Sequence, residues 1–417
     1  MKKRRYAVVS MLLVIAAAVT SFTASGATAN TAPYPTGNNI FNVLDYGATR
    51  DDGTDDTAAF QKAMNAAAAS KGKVLVPNGV FSFKSEGLTL PEGVTLTGTA
   101  VSPFRSAVRL DIHASEFSKN INNAFLTMKA NSTVQELQFN YPQQVSTDPS
   151  PYSWTIRLSG ANITVKNIFS MNAYQFLDIG TINSPNFKVE QINLWAYKTG
   201  VFVDKCNGSG LIKDVHIWPF DGSNNDWVRE NATGFLLGYA KNVTIEGCFT
   251  IRFMRSFHLK DFGNGAGHYK IQTSGADMGP VGVLVDNVGS LDINQGQFMQ
   301  GIEIKSTNKG PVNIRNSGFW VWKDATYQIK AQGTGKVTVD SCHFSSWDSV
   351  GEGHYAIVAD CSEIVVNSND FMVKNKNMVS ISSNVKNATV INNLMSGKVS
   401  IQNKSTGKTN IADNLSY

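Results

Sequence analysis

Charge is scarce in this chain. Asp, Glu, Lys and Arg together are 17% of its 417 residues, and much of the formal charge of +5 sits at the N-terminus. Lys2, Lys3, Arg4 and Arg5 precede an apolar run from Tyr6 to Val19, and Ala27-Thr-Ala29 offers small residues for cleavage. Residues 1–29 are therefore expected to be a secretory signal peptide. Removing those four cations and no anions takes the charge from +5 to +1. A nearly neutral mature chain gives no electrostatic grounds for a nucleic acid partner. No second apolar segment is long enough to cross a membrane. Zinc spacing is missing too, since there is no Cys-x-x-Cys and no closely spaced histidine pair. What remains, 42% apolar residues with 35 glycines and abundant asparagine, suits a large extracellular β protein with a long continuous core.

One phrase recurs about ten times between Ile163 and Leu394. Two β-favouring residues flank one position, a polar residue follows, and an apolar residue comes two or three places on. Examples are Ile163-Thr-Val165-Lys-Asn167, Val243-Thr-Ile245-Glu-Gly247-Cys-Phe249 and Val337-Thr-Val339-Asp-Ser341-Cys-His-Phe344. Marking the central β residue gives positions 165, 189, 212, 245, 271, 293, 314, 339, 366 and 390. A drifting period of this size, made of strands and turn residues without helical spacing, predicts a β-solenoid. Successive coils would stack ~4.8 Å apart, so equivalent repeat positions become neighbours in space. Export permits disulfides, and Cys206, Cys248, Cys342 and Cys361 allow three pairings. Cys248 and Cys342 fall at equivalent, inward repeat positions, however, so buried thiols are expected.

A different segment precedes the repeats. After a linker over residues 30–40, Asp51-Asp-Gly-Thr54-Asp55-Asp56 leads into a helical pattern whose apolar face carries Phe60, Ala63, Met64 and Ala67. Thr54 or Asp55 is placed to cap it, and such a helix would close the open end of a solenoid. Gly72-Lys-Val-Leu-Val-Pro77-Asn-Gly79-Val-Phe-Ser-Phe reads as strand, turn, strand. The acids could be taken for a calcium loop, but capping and the helix dipole account for them with less assumption. From Phe41 to Gly98, with Asp45-Tyr-Gly-Ala, Asp52-Gly-Thr-Asp-Asp-Thr-Ala-Ala-Phe and Val74-Leu-Val-Pro-Asn-Gly-Val-Phe, the chain resembles the N-terminal signature of the pectate-lyase-like superfamily. It is similar in particular to the rhamnogalacturonase and epimerase-like branch, related to family 28 glycoside hydrolases. The resemblance implies an all-β, right-handed parallel β-helix of about ten or more coils over 41–417. Residues 41–100 would form the N-terminal cap and first coils.

Hydrolases, lyases, epimerases and phage tailspikes share this signature, so function has to come from the site. The marks of family 28 hydrolases are Asn-Thr-Asp, a paired Asp-Asp, Gly-His-Gly and Arg-Ile-Lys. Here Met254-Arg255 stands where the paired acids are expected, Lys323-Asp324 precedes the later counterpart Tyr327-Gln-Ile-Lys330, and Gly265-Ala-Gly-His268 does not match. The polygalacturonase mechanism is therefore not carried over.

The repeat register assigns outward positions in two sets. The first contains Trp195 with Tyr197, Trp218 with Phe220, Phe253, Trp320 with Trp322, and Trp347. These rings would either stack on successive sugars or pack under loops. The second lies on the following strand: Arg157, Asp178, Phe202, Leu236, His258, Leu284, Glu303 and Gln328, flanked by Asp204, Lys260, Asp286, Lys305 and Lys330. The longest repeat inserts Pro219 to Asn231, which carries Asp226 and Arg229, and long loops on a rigid scaffold collect binding residues.

These patterns select Arg255, His258 and Lys260 as a chemical centre, with Glu303 and Asp324 as candidate carboxylates. Trp195, Trp218, Asp226, Arg229, Lys305, Trp320 and Trp322 are the candidate substrate contacts. A lyase needs a base for the proton alpha to a uronate carboxyl group and a cation, either a side chain or calcium, for the charge that develops. A hydrolase needs two carboxylates. Cations are the clearer offering, so the expectation is a secreted enzyme acting on an acidic, pectin-like polysaccharide, by β-elimination ahead of hydrolysis. The alternative is a non-catalytic glycan-binding or adhesion solenoid. No cofactor is called for beyond calcium in a lyase, and the polar segment from Lys398 to Tyr417 shows no coiled-coil pattern, making a monomer the default. If the leader is removed after Ala29, mass spectrometry of protein from a culture medium will find Asn30 at the N-terminus.

Overall fold

In the computed structural model, the described residues are 37–417 save 38, 86, 100, 103–104, 118–119, 220–225 and 322–325. The signal peptide, most of the linker, Phe220, Trp322, Lys323 and Asp324 lie outside them. The chain winds into a parallel β-solenoid of about 13 turns with very little helix. All ten repeat markers pair with one another in order: Val165 opposes Val189, Val189 opposes Ile212, and the series continues through Ile245, Ile271, Ile293, Ile314, Val339, Val366 and Val390. The 33-residue interval between Ile212 and Ile245 leaves the pairing of these markers intact.

Each coil contributes three strands and so three faces. The first face is built from the marker strands, such as Ala240–Glu246, His268–Gln272 and Ser290–Asn294. The second carries short strands such as Phe249–Ile251, Gly275–Asp277 and Gln297–Phe298. The third carries Arg255–Leu259, Val281–Val285 and Ile302–Ile304. Between first and second faces the chain turns on a single residue with positive φ: Asn167, Gln191, Asp214, Gly247, Thr273, Gln295, Asn316, Ser341, Ser368 and Asn392. A left-handed residue sends the chain round the corner in one step, at a steric cost that glycine and asparagine feel least. The amide at this corner is bonded to the next coil, as Thr273 N–H to the Asn294 carbonyl at 3.0 Å.

The position after the corner points inward. It holds Cys248 and Cys342, and further along Asn369 and Asn393. The Asn393 amide donates to the Val366 and Ile391 carbonyls at 3.0 Å and to the Asn414 side chain at 2.8 Å, while its own oxygen accepts from Asn369. Buried amides are thereby fully used, as a dry interior requires. All four cysteines are buried free thiols, and burial raises the Cys248 and Cys342 thiols to about 12. Two residues further on, Phe298, Phe319, Phe344 and Phe371 stack at centroid separations of 5.8, 5.0 and 4.7 Å.

At the N-terminal end, helix α1 (Thr57–Ala68) buries Phe60, Ala63, Met64 and Ala67. Phe60 meets Phe81 and Phe83 edge-on, joining the helix to the first coils. The N-cap position is Asp56 rather than Thr54 or Asp55, but its carboxylate makes no cap bond and turns back to accept from the Thr49 and Ser82 amides. Asp55 still accepts from the Thr57 amide at 3.1 Å. The acids of this segment therefore bind their own backbone. Asn393→Ala should cost roughly 1–3 kcal/mol in urea unfolding by stranding those carbonyls, and Phe344→Ala about 3–5 kcal/mol by opening the ring stack.

Candidate functional site

The third face gathers the predicted charged centre. Strand pairing places Arg157, Asp178, Phe202, Leu236, His258, Leu284, Glu303 and Lys330 in one outward row, each opposite the next. Lys330, not Gln328, follows Glu303. Gln328 lies two residues earlier and is fully buried, its side-chain amide donating to the Ser346 carbonyl at 2.7 Å. A parallel outward row runs two residues on, through Asp204, Gly238, Lys260, Asp286 and Lys305. Arg255 begins the strand that bears His258 and ends just before Lys260, and its amide bonds the Ala232 carbonyl at the end of the long insertion.

His258 is mostly buried, and its Nε2 lies 2.8 Å from Asp286 Oδ2 in the next coil. Burial lowers the pKa of its ring, Asp286 pulls the other way, and the positive charge of Arg255 and Lys260 lowers it again, leaving it below the usual histidine value. The ring is neutral at pH 7, Nε2–H donates to Asp286, and the basic lone pair is on Nδ1. One coil beyond Asp286, Lys305 is 2.6 Å from Glu303. Tyr327 lies under Lys330, with burial and then the Glu303 charge pushing its hydroxyl to about 12. Lower on the same face, Arg157 grips the buried Asp178 at 2.6 Å.

Lys260, Asp286 and Lys305 also line a groove of about 730 Å³ together with Lys309. Beside it lies an aromatic surface that sequence reasoning did not select. Phe202 stacks on Trp154 at 6.1 Å and meets Phe262 at 5.4 Å, and Phe262, 39% exposed, lies 5.5 Å from the Lys260 ammonium. Gly180 makes room for this arrangement, since a Cβ there would sit 2.4 Å from the Phe202 ring. Asp286 was legible as the coil neighbour of Lys260, but its bond to His258 was not, because it crosses from one outward row to the other.

The tryptophans lie elsewhere. Trp195, Trp218 and Trp320 share a row on the second face, as the register required, so they do not border the charged centre. Trp195 is not an outward ring. It is 1% exposed, packs edge-on against Tyr197 and Phe253, and its indole N–H has no hydrogen-bond acceptor among the described residues. Tyr197, Phe253 and Trp347 are likewise buried, and the Trp347 N–H donates to the Asn377 carbonyl. The short helix α2 of the insertion (Asp226–Asn231) lies against the strand Phe187–Val203, with Val228 buried. Trp227 meets Tyr174 at 6.3 Å and Lys198 at 5.8 Å. Asp226 is exposed and Arg229 half-buried. Trp218 and Trp320 remain partly exposed.

A calcium ion does not fit the third face. Asp178, Asp286 and Glu303 each already face a cationic or imidazole partner, and no group of three or more candidate ligands occurs among the described residues.

Residues 40–109 match the family described as rhamnogalacturonase A/epimerase, pectate lyase-like. That match covers the N-terminal cap and first coils; over the whole chain, what is shown is the parallel β-helix fold. Its β-helix superposes on the A-module of a mannuronan C-5 epimerase from Azotobacter vinelandii with TM-score 0.55 and 12% identity, covering 90% of this chain and 99% of that one. The catalytic unit of an α-1,3-glucanase from Streptomyces thermodiastaticus gives 0.52 at 13% identity, with 93% and 70% covered. The N-terminal fragment of gene product 12 of bacteriophage Phi29 gives 0.56 at 14%, with 90% and 66% covered. At such identities the likeness is one of fold alone. No curated protein matches the sequence.

One second-face residue escaped sequence reasoning altogether. Asp277 is outward on Gly275–Asp277, yet its Oδ1 is buried without a hydrogen-bond partner, and burial raises its carboxyl to about 6. A carboxyl raised in the folded state stabilises fully below its unfolded value near 4 and progressively less as pH rises through 6. The melting temperature should therefore fall between pH 4 and 6, and Asp277→Asn should flatten that fall.

Proposed function

We propose that the protein is a secreted enzyme that cleaves an acidic, pectin-like polysaccharide by β-elimination on the third face. The observation that carries this reading is the neutral His258, oriented by Asp286 and flanked by Arg255 and Lys260, with Lys305 and Lys330 two and three coils further along the same face. In elimination a base removes the proton alpha to the uronate carboxyl group, electrons form the new double bond, and the glycosidic oxygen leaves. His258 Nδ1 would take that proton. The lysines and Arg255 would hold the uronate carboxylate, whose charge grows as the proton departs. Phe262 beside Lys260 offers a flat apolar surface to a neighbouring sugar. Hydrolysis would need a carboxyl acid and a second carboxylate free of cations, whereas Glu303 is held by Lys305 and Asp286 by His258.

The competing reading is a glycan-binding or adhesion solenoid. It is favoured by the partial pairing of the charged row within itself, as in Arg157 with Asp178 and Lys305 with Glu303. Incubation of the mature protein with acidic and neutral polysaccharides separates the two. Unsaturated uronate absorbance is the expected product signal, reducing ends without it would indicate hydrolysis, and retention on a glycan column with neither would indicate the binding module. His258→Ala and Lys260→Ala should each lower turnover by about 10²–10⁴-fold. Because the base must be unprotonated, kcat/KM should rise with pH along a limb whose midpoint lies below the ordinary histidine value of 6.5. Asp286→Asn removes the interaction that raises the His258 pKa, so the limb should move to still lower pH while the plateau drops.

A further inference from the structure

We propose that the coils following Phe371 carry a docking surface for an anionic lipid membrane. The formal charge of the chain is unevenly placed. Residues 372–417 hold six lysines against one acid, Asp413, for a charge of +5. Because residues 1–29 carry +4 and the whole chain +5, residues 30–371 carry −4. Lys376 is taken up by Asp348, 3.4 Å from its carboxylate. The other five, Lys374, Lys386, Lys398, Lys404 and Lys408, are exposed, and none meets an acid at ion-pair distance among the described residues.

An exposed apolar patch lies beside these cations on the second face. There the inward residues of three successive coils are Phe371, Met395 and Ser416. Among their outward neighbours, Leu394 lies opposite Leu415, ~4.8 Å away in the next coil. Met372 and Tyr417 stand in the next outward row, one coil to either side of Ser396. All four are exposed, from 44% at Leu394 to 63% at Leu415. Asp370, the acid in the row of the two leucines, accepts the Tyr417 hydroxyl at 2.9 Å, which holds that ring across two coils. Where the second face ends, Lys374 packs against Gly397, whose Cβ would lie 3.0 Å from the lysine chain, and Lys398 follows. Five of the ten large apolar side chains exposed among the described residues lie beyond Phe371, so the patch is more than the ordinary scatter of a protein surface.

The chemistry of the patch selects its partner. Leucine, methionine and tyrosine side chains enter the boundary between headgroups and acyl chains, while lysines beside them attract anionic headgroups. Each lysine close to such a surface strengthens partitioning about fivefold. A polysaccharide suits this surface less well, since Leu394, Leu415 and Met372 offer no flat ring to a sugar. A second copy is opposed by charge, because joining two such patches brings two sets of lysines together. The contact is with the membrane surface and does not depend on the third face being catalytic.

The test is co-sedimentation of the mature protein with vesicles of phosphatidylcholine alone and with vesicles containing about one-third phosphatidylglycerol. The protein should sediment with the anionic vesicles and stay in solution with the neutral ones, and added salt should weaken the binding. Lys374→Ala combined with Lys398→Ala should lower partitioning about 25-fold, and Leu415→Ser about tenfold, each with the wild-type melting temperature. Lys188→Ala combined with Lys241→Ala, which removes the same charge from the first face, should leave partitioning unchanged. The proposal is overturned if neutral and anionic vesicles sediment the protein equally, or if the Lys374/Lys398 and Leu415 variants bind like the wild type. It is equally overturned if sedimentation equilibrium without lipid shows a dimer that Leu415→Ser dissociates.

Discussion

Everything in this protein depends on the coil-to-coil backbone ladder. Each strand bonds to the equivalent strand one turn away, so one register, set by the inward β-branched residues, fixes the neighbours of every side chain. A one-residue slip would exchange the inward and outward sets, placing Val and Ile in water and Lys and Asp in the core. That penalty lets coils of unequal length stack in order: after an insertion such as Pro219 to Asn231 the strands pair in register again.

The corners carry the second constraint. One left-handed residue per coil aims the next position inward, where Ile168, Ile192 and Val215 sit in earlier coils and a polar residue must be small or fully bonded. Cys248 and Cys342 meet the requirement by size, and Asn369 and Asn393 meet it by bonding up and down the stack. Their roles are structural even though both residue types are common in active sites, and the burial of the thiols keeps them protonated.

Function was less legible than fold, and the tryptophans show why. Periodicity placed Trp195, Trp218 and Trp320 in one row correctly, but whether an outward ring meets water or another element depends on what lies above it. Trp195 is closed in by Tyr197 and Phe253, contacts that periodicity does not describe. The charged row fared better: His258, Lys260, Glu303 and Lys305 share a face as the register required, with Lys330 rather than Gln328 next after Glu303. The His258–Asp286 bond and the isolation of Asp277 depend on distances between different rows, which repeat spacing does not encode.

The amino-acid sequence by itself determined the solenoid, its coil boundaries, its inward and outward faces, the capping helix and the free, buried state of Cys248 and Cys342. These are set by local propensity and by a period that the backbone ladder converts directly into space. Only the tertiary structure decided which outward residues meet one another and which remain exposed. It buried Trp195, gave His258 its partner and left Asp277 without one. Those outcomes rest on the angles at the corners and the paths of the loops, where neighbours are far apart in sequence and no repeat relates them.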